Sequence, residues 1–423
     1  MREMKDSGIE WIGEIPKGWE IIRLKYITNS IGDGLHGTPN YDDLGTISFI
    51  NGNNLGNRKI SITEKTNRLT EEEYKKCGVL KLDKSTLLMS LNGTYGTLSM
   101  YDNEPIMLSK SVGYINVCNK ETKEYLYYFL QSPLAQNQMK ISLAGTTIAN
   151  LSLATVRNLK ICLPSICEQQ QIADFLDTKC SEIDATAEDI QKEISLLEDY
   201  KKSVITEAVT KGLNPDAEMK DSGSEWIGEI PKDWEITKIG MLYNLRITKV
   251  SDTDYLPLSV TKMGVLPQLE TVAKTNAHDD RKLVKKGDFV INSRSDRRGS
   301  CGISNYNGSV SLINIVLEPK NNMNSGYYSW LFKTVQFADE FYKNGHGIVD
   351  DLWTTGWQDM KRIVLPVPQH SEQQQITDFL DSKCSEIDSL IADKKRQLDI
   401  LADYKKSLIY EYVTGKKEVP VNE

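Results

Sequence analysis

The sequence predicts an α+β chain built by internal duplication, with two mixed α/β globular parts that alternate with two long heptad-patterned helices. Three observations carry this. The block Met4 to Ile21 returns at Met219 to Ile236 with only Ile9/Ser224 and Gly18/Asp233 changed. The block Glu168 to Asp184 returns at Glu372 to Asp388 with two conservative changes. From each second block onward an apolar seam recurs every seven residues, the pattern of a helix that packs along its length on another helix. Two copies are too few for a solenoid, so the chain reads as a duplicated half-molecule.

The elements follow in order. Each opening block holds two tryptophans and a proline, Trp11, Pro16 and Trp19, then Trp226, Pro231 and Trp234. Packing against the ends of the long helices is their expected role. The globular parts, residues 22–162 and 237–366, show strand-like runs at Ser85–Ser90, Val112–Val117, Asp288–Asn292 and Ser311–Leu317. Aromatic residues at helical spacing predict helices at Glu121–Gln131 and Gly326–Tyr342. Between the two parts Leu87–Ser90 aligns with the run Phe289–Ser293, putting Ser90 opposite Ser293, and Tyr127-Tyr128 aligns with Tyr327-Tyr328. Ser165 with Glu168, and Ser371 with Gln374, read as capping boxes that open the long helices.

In the first long helix the seam is Leu176, Ile183, Ile190, Leu197 and Val204, with Cys180, Ala187, Ile194 and Ala208 between. In the second it is Leu380, Ile387, Leu401 and Leu408, with Cys384, Ile391, Leu398 and Tyr412 beside. Lys201 and Lys405 interrupt the two seams at the same place, and Gly212 and Gly415 end the runs. Some 43 residues of helix make a rod of roughly 65 Å. The expected divisions are residues 1–165, 166–212, 213–367, 368–415 and a tail, 416–423.

Composition narrows the function. Of 423 residues, 39% are hydrophobic and 26% charged, which suits globular domains and excludes a fibrous or disordered chain. No apolar run approaches the roughly 20 residues of a membrane span. Met1 to Asp6 has no apolar stretch, so no signal peptide is expected, and no membrane partner. Seven cysteines without a CxxC pair point to a reduced, cytoplasmic protein. The net charge of −8 argues against a simple nucleic-acid binder, but it is unevenly spread. Ile166 to Tyr200 holds ten acids against two bases, whereas Arg281 to Arg298 holds seven bases against two acids.

No catalytic constellation emerges. There is no phosphate-binding GxxxxGK[ST] loop and no HExxH, and the four histidines lie too far apart for metal-ligand spacing. Gly32-Asp33-Gly34-Leu35-His36-Gly37 matches GxGxxG, but Thr38-Pro39-Asn40 continues it as a loop where a dinucleotide site needs a helix. His36, Thr38 and Asn40 remain a polar contact surface.

Variable loops inside the shared frame are the better candidates. Asn92, Thr94 and Tyr95 follow one predicted strand, and Arg294, Ser295, Arg297 and Arg298 follow its counterpart. Thr146 and Thr147 stand against His346 and Asp350 in a second such pair. Arginine and asparagine can read guanine and adenine edges with paired hydrogen bonds. Alone, each loop reads as a solvated turn. The duplication shifts the balance toward two different recognition surfaces.

The doubled Glu-Gln-Gln-Gln-Ile-x-Asp-Phe-Leu-Asp block after Leu-Pro, and the doubled Trp-Ile-Gly-Glu-Ile-Pro-x-x-Trp block, resemble the conserved regions of type I restriction–modification specificity subunits. The resemblance covers nearly the whole chain. It implies two target-recognition domains, held apart by an antiparallel coiled-coil pair of helices in a pseudo-twofold arrangement. Each domain would read one half of a bipartite, asymmetric site in double-stranded DNA. It also implies a non-catalytic chain that binds no cofactor, with two methyltransferase subunits and restriction subunits bringing S-adenosylmethionine, ATP and Mg²⁺. The acidic helices would then face protein partners. Two rivals are a coiled-coil adaptor for proteins and the specificity partner of a fused restriction–methylation enzyme.

Overall fold

The structure, a computed structural model, describes residues 2–56, 58–143, 150–268, 280–320, 323–347 and 353–420. The chain is α+β and divides into two compact units, Met1–Ile190 with Arg396–Glu423, and Gln191–Lys395. Both divisions fall inside the long helices, Ile166–Lys211 and His370–Val413.

In the first unit the opening block is a small hairpin, with Met4 paired to Pro16. Glu20–Arg23 then pairs antiparallel with Lys160–Leu163, closing the globular part on itself. Within it lies a four-stranded antiparallel sheet ordered Leu98–Met100, Thr86–Ser90, Val112–Val117, Thr28–Asp33. One face of this sheet packs Leu87, Met89 and Ile115 against Tyr125, Phe129 and the start of the long helix at Ile172 and Leu176. The other face packs Leu88 and Val112 against Ile50, Ile106 and Leu108 of a second sheet. Burial on both faces explains the uninterrupted apolar run Leu87-Leu88-Met89.

The second unit repeats the hairpin in the same register, Met219 to Pro231, and the closing pair, Glu235–Lys238 with Val364–Val367. Its four-stranded sheet has the corresponding order, Cys301–Ile303, Phe289–Asn292, Asn314–Pro319, Tyr243–Leu245. The second sheets differ. In the first unit Ile47–Ile50 runs parallel to Ile106–Leu108, whereas in the second Arg281–Val284 runs antiparallel to Gly308–Ser311. A further hairpin, Leu258–Thr261 with Gly264–Pro267, belongs to the second unit.

Packing corrects the sequence alignment by one residue. Phe289 and Ile291 face the helices and Val290 the second sheet, so they match Leu87, Met89 and Leu88. Ser90 therefore matches Asn292, because a one-residue slip in a strand turns every side chain to the opposite face. The tyrosine alignment is out by two. Tyr125 reaches Cys162 O and Val413 O, as Tyr327 reaches Pro366 O and Val209 O. Tyr128 meets Asp177 of the long helix, as Trp330 meets Asp381 at 2.8 Å.

Three helix expectations change. The helix expected over Gly326–Tyr342 is two, Ser325–Leu331 and Val335–Lys343, because Thr334 accepts from the Phe337 amide and starts a new one. Ser165 caps the Glu168 amide, but the Glu168 carboxylate turns away to Trp19 Nε1 at 2.9 Å. Only half a capping box forms. Ser371 caps nothing, since the second helix already begins at His370 and its Gln373 amide bonds the carbonyl of Gln369.

Candidate nucleic-acid interface

In the first unit the loop after Thr86–Ser90 is drawn tight by Gly96 N on Ser90 O, at 2.8 Å, and by positive φ at Gly93 and Gly96. Asn92 forms an antiparallel bridge with Asn150, and Leu151 N bonds Leu91 O at 2.8 Å. Thr94 is exposed, while Tyr95 packs partly into the core. Thr146 and Thr147 lie outside the described residues.

The His36 loop joins this surface through one intervening segment. Leu35 bridges Ser109, Lys110 N bonds Leu35 O at 2.9 Å, and Leu91 N bonds Ser111 O at 2.8 Å. Gly32 and Gly34 here serve close approach, to the Tyr114 ring and to the backbone at Leu108. A Cβ on Gly34 would sit 2.1 Å from the Leu108 carbonyl oxygen. His36 Nε2 meets Asp33 Oδ2 at 2.7 Å, and Thr38 is exposed. Asn40 is engaged, its backbone N–H and Nδ2 both donating to Glu73 Oε1. Those donors, the backbone N–H foremost, hold the Glu73 carboxyl below its ordinary range.

The second unit brings its two expected loops together in the same way. Arg294 bridges Thr354 antiparallel, Thr355 N bonds Ser293 O at 3.0 Å, and His346 exchanges both backbone hydrogen bonds with Thr354. His346 Nε2 also lies 3.3 Å from Asp359 Oδ1. Ser295 opens a short 3-10 turn that ends at Arg297, and Asp350 lies outside the described residues. Arg297 is mostly exposed, 3.6 Å from Asp296. Arg298 pairs with Asp339 and covers the Tyr342 ring.

The basic run from Arg281 to Arg298 is not one surface. Arg281 is 6% exposed, and its guanidinium donates to Ser309 Oγ and Ser309 O, both at 2.9 Å. Lys282 Nζ donates to Asn314 O at 2.7 Å. Burial pushes both pKa values down. Adjacent strand residues face opposite sides, so Arg281 and Lys282 are taken up by partners on different faces of the strand, which a charge count along the sequence does not register.

On the long helices Leu176, Ile183, Ile190, Leu380 and Ile387 are buried, and Leu197, Leu398 and Leu401 are half-buried. In the first unit Lys405 Nζ reaches both oxygens of Asp184 at 2.6 and 2.7 Å, and the Phe175 ring meets that of Tyr412 at 4.5 Å. In the second Lys201 Nζ reaches both oxygens of Asp388 at 2.6 Å. The seam lysines therefore leave the seam sideways, their stems covering apolar surface and their heads paired. Burial pushes the Cys180 thiol up to about 11. Leu196, Tyr200, Leu390, Ile400 and Tyr404, all off the seam, stay largely exposed. Among the described residues no cluster of His, Cys, Asp or Glu could hold a metal ion, and no helix is long and apolar enough to cross a membrane.

Comparison with known proteins bears on this surface. A family model described as the type I restriction modification DNA specificity domain matches residues 16–196 and again 231–399. The chain is 26% identical over 429 residues, 96% of both chains, to a putative type I restriction enzyme MjaX specificity subunit of Methanocaldococcus jannaschii. It is 28% identical over 233 residues, 54% of this chain and 52% of the other, to the MjaIX specificity subunit of that organism. In fold it is similar to a chain from a type I R-M system assembly, with a TM-score of 0.71 at 14% identity, covering 95% of this chain and 99% of that one. It also resembles the HsdS subunit of Thermoanaerobacter tengcongensis, with a TM-score of 0.51 at 15% identity, covering 95% and 98%.

Proposed function

The chain belongs to the family of type I restriction–modification DNA specificity domains, and from that membership we propose that it reads a bipartite, asymmetric site in double-stranded DNA, one half with each globular domain. As a specificity subunit it supplies no catalytic step. The observation that carries the reading is that the two domains share one sheet and its helices, while their second sheets and their paired loops are private. A common frame that presents two different polar surfaces suits a protein that must read two different half-sites.

In this reading the two copies are related by a pseudo-twofold duplication, and the long helices form an antiparallel coiled-coil pair that sets the interval between half-sites. Two methyltransferase subunits dock on the helices, where the exposed Leu196, Tyr200 and Leu390 leave apolar surface beside Glu193 and Lys394. Apolar strips rimmed by charge mark protein contacts. Restriction subunits join the full complex. S-adenosylmethionine, ATP and Mg²⁺ then fall to the partners, and the complex works in the cytoplasm. The acidity of the chain agrees with partners that contribute much of the phosphate binding.

The test is duplex binding by the chain together with its modification subunit. Tight binding of one bipartite duplex, weakening steeply as salt rises, is expected. Equal affinity for every duplex, or none for any, counts against the reading.

A further inference from the structure

The second domain carries an open groove of about 620 Å³ that neither its charge pattern nor its loop alignment disclosed. One wall is the private hairpin Leu258–Thr261 with Gly264–Pro267, whose tip holds the exposed Lys262. Gln268, just beyond the hairpin, lines the same space. Facing it are Asn292 and Asn314, cross-strand partners in the shared sheet, and Arg297 of the basic loop. Arg281 lies in the floor, hydrogen-bonded to Ser309.

Asn314 is the telling residue. It is 6% exposed and donates Nδ2 to Ser311 O at 3.1 Å, yet its Oδ1 is buried without a partner. Buried amide oxygens are ordinarily satisfied, so an acceptor left over at the wall of a polar groove invites a donor from a ligand. The exocyclic amino groups of adenine and cytosine are such donors in the major groove, which also admits a two-stranded β-ribbon of the hairpin's kind. The cations Lys262 and Arg297 suit guanine O6 and N7 or a neighbouring phosphate.

We propose that this groove determines specificity in the second domain: it takes the base edges of duplex DNA, with Asn292 and Asn314 as the reading amides and Lys262 and Arg297 as contacts at the rim. The proposal rests on the reading of the chain as a DNA specificity subunit and says where the second half-site is read. The first domain pairs Ser90 with Val112 at the positions of Asn292 and Asn314. Both are buried there, Ser90 at 1% and Val112 at 0% exposure, so the pair of amides at this place is private to the second domain.

The experiment uses the full chain assembled with its modification subunit on a plasmid library, with methylated positions read by sequencing. Lys262→Ala and Arg297→Ala alter exposed side chains, so folding is not at stake, and Asn292→Ala probes the shared sheet. The motif should become degenerate in one half only, and affinity for the parental duplex should fall about five- to a hundred-fold for each base-reading side chain removed. If methylation disappears, direct binding decides, because weakened duplex binding with intact assembly supports the groove. Parental motif and parental affinity in these variants overturn it, as does equal loosening of both halves, which assigns the groove to assembly or a protein partner. Exchanging residues 237–366 separates the two ideas. If that exchange leaves the motif unchanged, the reading of the second domain fails; if it alters one half while the groove variants do not, only the groove fails.

Discussion

The Tyr125 hydroxyl lies 2.9 Å from the carbonyl oxygen of Val413, 288 residues further along the chain. Val413 is the last residue of its helix, and a helix end leaves carbonyls without intrahelical partners. Tyr327 does the same for Val209 at 2.8 Å. Each unit therefore holds the end of the long helix that enters it with a buried phenol from its own aromatic helix.

Tyr125→Phe and Tyr327→Phe should each destabilise their unit by about 1–3 kcal/mol, the cost of leaving buried acceptors unsatisfied. Lower urea midpoints for both variants check this. No change in either shows that other donors serve these carbonyls.

The glycines that follow the helix ends should not be equivalent. Gly212 and Gly415 both take positive φ, so alanine costs about 1–2 kcal/mol of backbone strain at either. At Gly415 a Cβ would also lie 2.4 Å from Pro16 Cγ, whereas at Gly212 the nearest atom is the Glu372 Oε1 tip at 3.0 Å. Gly415→Ala should lower the thermal midpoint more than Gly212→Ala, and the reverse order contradicts the packing described.

Thiol reactivity should follow burial. Burial raises the Cys180 pKa to about 11 and raises Cys384 in the same direction, so thiolate is scarce at pH 8 and grows as pH climbs toward the raised range. Alkylation of the native protein at pH 8 should modify the exposed Cys118 and Cys167 and spare Cys180 and Cys384. Rapid labelling of the seam cysteines shows that the helices do not pack as described.

Lys201 and Lys405 should matter more for register than for stability. Their partners Asp388 and Asp184 are well exposed, and such pairs contribute about 0–1 kcal/mol. Lys201→Met should unfold within about 1 kcal/mol of the parent. Asp388→Lys should be worse than Lys201→Met, and Lys201→Asp in the same chain should restore it. Failure of that exchange to restore stability removes the ion pair from the account.

Much of this was legible in the sequence because repetition is independent of fold knowledge: the doubled blocks and the heptad seam set the positions of both opening segments and both long helices, though not that the opening segments fold as hairpins. The register between copies was not legible, because Leu87-Leu88-Met89 and Phe289-Val290-Ile291 are apolar on both faces and either slip looks equally hydrophobic. The candidate loops could be picked out as variable, but not the bridges that unite them, Asn92 to Asn150 and Arg294 to Thr354, since those depend on long-range pairing. Charge counting also overstated the basic run, whose Arg281 and Lys282 are consumed within the sheet. Asn292 and Asn314 lie inside strands, and only their cross-strand pairing reveals them as one site.

The central claim is that the two domains read separate half-sites, and a domain exchange tests it most directly. Residues 22–162 are replaced by the corresponding domain of another family member, and the positions methylated by the reconstituted complex are sequenced. The account predicts a new sequence in one half of the motif beside an unchanged other half. Changes in both halves, or an unaltered motif from an active chimera, contradict it.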